Sequence, residues 1–157
     1  MKLRLVCVGK LAVSWQREAA ADYAERLQRY FPLEIVELKE EKGGRRGDVP
    51  NLLKREGERI LEKVPLRSYL IVLDERGRSV GSEQLAERLE SEMLHGGRDW
   101  CLVIGGPYGL DPEVRQRADL LLSLSKMTFT HQMARLFLLE QLYRSCTILR
   151  NEPYHNR

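Results

Sequence analysis

The last residues of the chain, Pro153-Tyr154-His155-Asn156-Arg157, put several chemically capable groups side by side. Tyr154 and His155 can stack on a base and exchange protons, and Arg157 can meet a phosphate, a mixture that suits a nucleobase and its backbone. The plain alternative is a frayed terminus, the usual state of a chain end. A second set of groups lies just upstream. His131 is followed one turn later by Arg135, and Glu140 and Arg144 stand four residues apart, the spacing of an ion pair on one helix face. Glu140 nonetheless interrupts an otherwise apolar run, where a carboxylate needs a partner. His131 serves equally well as a helix cap or a bystander.

Three further segments share a different property, since each follows an apolar run that reads as a strand. They are Leu73-Asp74, Gly105-Gly106-Pro107-Tyr108-Gly109, and Ser123 to Phe129. Ligands of open α/β sheets bind beyond the carboxyl ends of strands. The paired glycines permit a tight turn or close approach of backbone to a flat ligand. Conventional reaction signatures are missing. Val8-Gly9-Lys10-Leu11 lacks the glycine pattern of a dinucleotide fold, and the chain carries neither a P-loop nor a G-x-S-x-G elbow. His95, His131 and His155 have no metal-ligand spacing among themselves or to the cysteines, so no metal is expected.

The elements that would hold these segments alternate along the chain. Leu3–Val8 is a strand. Val13 to Tyr30 shows helical spacing, with Trp15, Ala19, Tyr23, Leu27 and Tyr30 on one stripe. Residues 33–38 alternate apolar and acidic, as a half-exposed strand does. The glycine- and charge-rich segment 39–48 predicts a mobile loop. A helix then starts near Asp48 and Pro50 and closes at Pro65. Residues 68–73 are apolar throughout and residues 74–78 predict a turn. Ser82 suits the cap of a helix to Leu94 that buries Leu85, Ala86, Leu89 and Met93. Trp100–Ile104 is again wholly apolar. Asp111-Pro112 opens a short helix, 120–125 is a fifth strand, and a long helix runs from about His131 to Arg150. Strands apolar on both faces, alternating with helices, predict an α/β fold with a mostly parallel sheet flanked by helices on both sides. The last helix is apolar well beyond the arc of about 100° that a surface helix buries, so it needs cover on two sides. A second subunit is an economical source of that cover.

The 157 residues and 18.3 kDa suit one domain, spanning 1–157. Charged residues at 31% and hydrophobic residues at 43% exclude disorder as the main state. The net charge of +3 is spread evenly, without a polybasic tail, which argues against a non-specific nucleic-acid coat. Arginines outnumber lysines by 19 to 7; a GC-rich genome or a hot habitat would account for that bias, and arginine's bidentate geometry suits phosphate contacts. Cys7, Cys101 and Cys146 read as buried small hydrophobes in a reducing compartment. No apolar stretch is long enough for a membrane span and no signal peptide is legible, so a cytoplasmic protein is expected.

Four blocks together are recognisable: MKLRLVCVGK, VIGGPYGLDPEV, LSLSKMTFTHQMARLFLLEQLYR and EPYHNR. Across essentially the whole chain they resemble the RlmH family, small bacterial SPOUT methyltransferases. The resemblance implies an α/β knot in which the C-terminal segment forms a deep trefoil. It implies S-adenosyl-L-methionine as cofactor, held by Leu73, Gly105 and Leu124, Ser125, Lys126, Met127, Thr128 and Phe129. It implies a homodimer with the last helix at its interface. The implied substrate is pseudouridine 1915 of 23S rRNA in the assembled ribosome, methylated at N3. For that chemistry the catalytic candidates are His155, Tyr154, Arg135, His131 and Arg144, with no order among them. Thr130 departs from the family pattern, which has proline before the histidine, and this alters the start of the last helix. Arg17, Arg26, Arg29, Lys42, Arg45 and Arg46 are candidate phosphate contacts. Two other readings stay open: a SPOUT enzyme acting on another RNA such as tRNA, and a non-catalytic nucleotide- or RNA-binding module.

Overall fold

An apolar strand flanked by others can be satisfied only by cover on both of its faces. In the computed structural model, which describes residues 1–42 and 48–156, that cover is supplied throughout. The chain runs β1 (Leu3–Val8), α1 (Ser14–Gln28), β2 (Leu33–Leu38), α2 (Val49–Lys63), β3 (Tyr69–Ser79), α3 (Ser82–Ser91), β4 (Trp100–Ile104), α4 (Pro112–Gln116), β5 (Leu120–Ser123) and α5 (His131–Leu149). The strands form one sheet in the order β2-β1-β4-β3-β5, and all four neighbouring pairs are parallel. Side chains alternate along each strand, which divides the core in two. Leu3, Leu5, Cys7, Trp100 and Leu102 pack on one face with Leu27 of α1, Leu89 of α3 and Leu138, Leu139 and Leu142 of α5. Val6, Val8, Val72, Cys101 and Val103 pack on the other with Ile60 of α2 and Val114 of α4. The three cysteines are buried free thiols; burial pushes Cys7 and Cys146 up to about 12 and Cys101 to about 11.

Several boundaries differ from the sequence reading, each for a physical reason. On α1 the inward residues are Gln16, Ala20 and Leu27, while Trp15 is 54% exposed. A stripe built of four-residue steps drifts around the helix, leaving Trp15 about 120° from Leu27. Ser82 is the first residue inside α3 and Gly81 occupies the cap, where its N–H donates to Gln84 Oε1 at 2.9 Å. A wider turn over Glu92–Gly96 follows α3 and swings Met93 out to solvent, ending at Gly97 with φ +63°. β5 stops at Ser123, two residues early, because Ser123 Oγ bonds the Ser125 carbonyl at 2.8 Å and turns the chain.

The predicted turn at 74–78 lies inside β3. Leu73 and Arg78 both register with Leu122 of β5, so residues 74–77 form an excursion after which the pairing resumes. Gly77 is required there, since a Cβ would stand 2.7 Å from the Leu121 backbone. The apolar surplus of α5 is largely met within the chain, by packing against α1, α3 and β4. Phe137 remains 38% exposed, its ring centroid 5.0 Å from that of Phe129 and tilted by 46°.

Candidate functional site

The carboxyl ends of β4 and β5, with the point at Leu73 where β3 leaves the sheet, open into a cleft of about 760 Å³, within the usual range for small-ligand sites. Leu73, Gly105, Leu124, Ser125, Met127, Thr128 and Phe129 all line it, while Lys126 is exposed and outside the lining. The wall from β4 is shaped by its glycines. A Cβ on Gly105 would fall 2.7 Å from both the Gly109 carbonyl oxygen and Leu110 Cγ, and Gly109 adopts φ +93°. The loop closes on itself through the Gly109 N–H to the Gly106 carbonyl at 3.1 Å. The wall from β5 is built from short polar side chains. The Met127 N–H donates to Ser125 Oγ at 3.0 Å, and Thr128 Oγ1 donates to Glu75 at 3.2 Å. Thr130 caps α5, its hydroxyl accepting from the Met133 N–H at 3.3 Å, so the residue before His131 performs the capping itself.

His131, on the first turn of α5, also lines the cleft. Its Nε2 stands 3.4 Å from Glu40 Oε1 without the alignment of a hydrogen bond. Burial holds the imidazole below its ordinary range. One turn on, Arg135 is 4% exposed. Its guanidinium donates to the Gly9 carbonyl at 2.8 Å and to Glu37 Oε2 at 2.5 Å, tying α5 to the ends of β1 and β2. Both bonds are spent inside the protein. Arg135→Met would leave the Gly9 carbonyl without its donor and Glu37 without its cation. Urea denaturation should then show a loss of roughly 1–3 kcal/mol, and an unchanged midpoint would remove Arg135 as a structural tie.

The remaining candidates form a separate cluster farther along α5. Tyr154 donates to Glu140 Oε1 at 3.0 Å, lies 3.2 Å from the Tyr23 hydroxyl and packs edge-on to Tyr143 at 4.8 Å. Arg144 pairs with Glu140 at 2.5 Å, stacks over the Tyr154 ring at 4.8 Å and reaches His155 Nδ1 at 3.3 Å. His155 Nε2 is 3.7 Å from Glu83 of α3, and Tyr30 bonds Glu152. Burial, together with the bonds to Tyr23 and Glu140, pushes the Tyr154 phenol up, so it is a donor at neutral pH. The tail is thus folded back onto α1, α3 and α5. Between His131 and Arg144 the helix rises roughly 20 Å. One chain therefore carries two groups: a cleft with His131 at its rim, and an aromatic and charged cluster well away from it.

The sequence did not single out as site residues Arg115, which lines the cleft 2.5 Å from Asp74, or Glu40, Tyr23 and Tyr143. Each acquires its partner only through the fold, so no local spacing announces it. Of the candidate phosphate contacts, Arg17 donates to the carbonyls of Leu11 and Ala12, and Arg26 pairs with Asp22. Arg29 and Lys42 are exposed, and Arg45, Arg46 and Arg157 lie outside the described residues. Among the described residues no cluster could hold a metal ion, and no helix is long and apolar enough to cross a membrane.

A five-stranded parallel sheet with a strand-end cleft and a polar C-terminal tail packed over the last helix defines a class of α/β protein built around a small ligand. The model described as Predicted SPOUT methyltransferase matches residues 1–155. The ribosomal RNA large subunit methyltransferase H of Syntrophotalea carbinolica is 61% identical over 157 residues, covering 100% of both chains. The protein of the same name from Thioalkalivibrio sulfidiphilus is 41% identical over 155 residues, covering 99% of each. A probable methylase family protein from Haemophilus influenzae shares the fold, with a TM-score of 0.54 at 15% identity over 99% of this chain and 70% of the other. The chain belongs to the SPOUT methyltransferase family.

Proposed function

We propose that this enzyme transfers the methyl group of S-adenosyl-L-methionine to N3 of pseudouridine 1915 in 23S rRNA of the assembled ribosome. The observation that carries the reading is the convergence of three separate strand-end segments on one cleft, in a chain whose full-length relatives bear the name of a large-subunit rRNA methyltransferase. The cleft fits the cofactor. Its volume suits a nucleoside with an amino-acid tail, and its walls combine Leu73, Leu124 and Phe129 with glycines that bring backbone close. When bound there, the cofactor supplies an electrophilic methyl carbon on a sulfonium.

The protein's part is to align a nitrogen with that carbon and to manage one proton. The N3 position is an imide N–H between two carbonyls and is a poor nucleophile until the proton leaves. A base, or a cation that steadies the resulting anion, is required. His131 at the cleft rim, depressed below its usual range, is neutral at pH 7 and able to accept. Tyr154, His155 and Arg144 supply stacking surface, donors and charge. Arg135, spent on Gly9 and Glu37, acts as a positioning residue for the first turn of α5.

The separation of the two groups along α5 supports a homodimer in which each cleft receives the tail of the partner. The exposed Phe129–Phe137 pair beside the cleft supports α5 as part of that interface. The match to the SPOUT family over residues 1–155 supports a C-terminal segment threaded as a deep trefoil knot. Cytoplasmic location follows from a ribosomal substrate.

Incubation with labelled S-adenosyl-L-methionine tests the reading. Label is expected on assembled ribosomes and to be absent from free 23S rRNA and tRNA. Label on tRNA would reassign the substrate, and no label on any RNA would return the protein to a binding module.

A further inference from the structure

Asp74 follows Leu73 where β3 leaves the sheet for the 74–77 excursion; β3 lies between β4 and β5, and the Asp74 carboxylate lines the floor of the cleft. The side chain is only 6% exposed. A carboxylate so deeply placed must be compensated. Oδ1 accepts the Arg76 N–H at 2.8 Å, and the Arg76 guanidinium lies 3.8 Å away. Oδ2 is approached to 2.5 Å by Arg115 Nε, a charge contact without hydrogen-bond alignment. An ionised carboxylate offers about four acceptor positions. The protein donors among the described residues fill few of them, so acceptor capacity is left at the cleft floor. Glu75, the neighbouring carboxylate, is exposed and accepts from Thr128.

We propose that Asp74 recognises the ribose of the cofactor, accepting hydrogen bonds from its vicinal hydroxyls. The inference rests on the cleft being the cofactor site. Charge favours a neutral donor at this carboxylate. Two guanidinium groups within 4 Å already balance Asp74, and an incoming ammonium or sulfonium would meet them as well as the carboxylate. Hydroxyls donate without that repulsion. A carboxylate where a parallel strand leaves the sheet is also well placed, since ligands of open α/β sheets bind beyond that edge. Arg115, from α4 behind the glycine loop, would then be a positioning residue that fixes the Asp74 rotamer.

The test crosses protein variants with ligand variants. Calorimetry measures S-adenosylhomocysteine and its 2′-deoxy and 3′-deoxy analogues against wild-type protein, Asp74→Asn and Asp74→Ala. The wild type is expected to prefer the full ribose by about 10–100-fold, the range for hydrogen bonds to a charged group. Asp74→Ala should bind all three ligands about equally, and the near-isosteric Asp74→Asn should retain part of the preference. A merely structural aspartate gives a different pattern, in which all three affinities fall together and the preference survives. That result, or a wild type indifferent to the hydroxyls, overturns the proposal. Gly105→Ala separates the two layers of the argument. If it binds S-adenosylhomocysteine as the wild type does, the cleft itself is wrongly assigned. If it loses binding while Asp74→Ala keeps the preference, only the role of Asp74 fails. Should Asp74→Ala unfold, Asp74→Asn alone decides, by whether the preference shrinks.

Discussion

Gly105→Ala is expected to weaken cofactor binding by more than about 10-fold and methyl transfer by roughly 100-fold, the scale on which a displacement near 1 Å costs rate. The added methyl carbon would stand 2.7 Å from the Gly109 carbonyl oxygen and 2.7 Å from Leu110 Cγ. One of these neighbours is backbone and cannot rotate away. The loop must therefore move outward or the sheet end must shift, and either changes the wall of the cleft. The fold should survive, because overpacking of this size costs about 1–3 kcal/mol against a total stability of about 5–15 kcal/mol. Isothermal calorimetry with S-adenosylhomocysteine, alongside a thermal melt, checks both halves. Near-normal affinity in a folded protein would show that the glycine loop does not bound the ligand. Gly106→Ala is a graded companion. Its Cβ would meet Val8 Cγ1 at 3.2 Å, a contact a small side-chain shift relieves, so a milder loss is expected.

What the sequence made legible was governed by local rules. β1 and β4 could be bounded to the residue because an apolar run, broken in β1 only by Arg4, ends at a glycine on the cleft side. The Glu140–Arg144 pair followed from four-residue spacing on a helix. The Asp111 cap followed from an aspartate before proline, and its side chain accepts the Glu113 N–H at 2.9 Å. Positions 74–77 misled because Asp-Glu-Arg-Gly has turn chemistry whether the chain leaves the sheet or returns to it. Only the register of β5, supplied some fifty residues later, decides that. Arg135 was ambiguous for the same reason. An arginine one turn after a histidine looks catalytic in a string of letters, whereas its partners Glu37 and Gly9 are about a hundred residues away. The tail was recognised as dense in useful groups, but its docking onto Tyr23, Glu83 and Glu140 depends on three helices meeting. Long-range contacts carried the information that local pattern could not.

Deleting Pro153–Arg157 is expected to abolish methyl transfer while leaving cofactor affinity within about threefold of normal, because hydrogen bonds lost in the tail lie outside the cleft. The cleft is lined by residues between Leu73 and Ala134, so nothing in its walls is removed. The charges left behind remain paired, since Arg144 and Glu140 still meet at 2.5 Å without Tyr154. Full activity in the truncated protein would eliminate the tail from the reaction. Mixing extends the test to the arrangement of subunits. Truncated chains have an intact cleft and no tail, and Gly105→Ala chains have an intact tail and a damaged cleft. If each cleft borrows the partner's tail, a mixed dimer holds one complete site, and equimolar mixing should restore about a quarter of wild-type activity to two inactive proteins. If each chain used its own tail, no combination would hold a complete site and the mixture would stay inactive. The stretch of α5 between His131 and Arg144, roughly 20 Å long, makes the first outcome the expected one. A tail pinned by Glu140, Tyr23 and Glu83 would have to abandon every one of those contacts to reach its own cleft, whereas a partner packed against the exposed Phe129–Phe137 side can present its tail already folded.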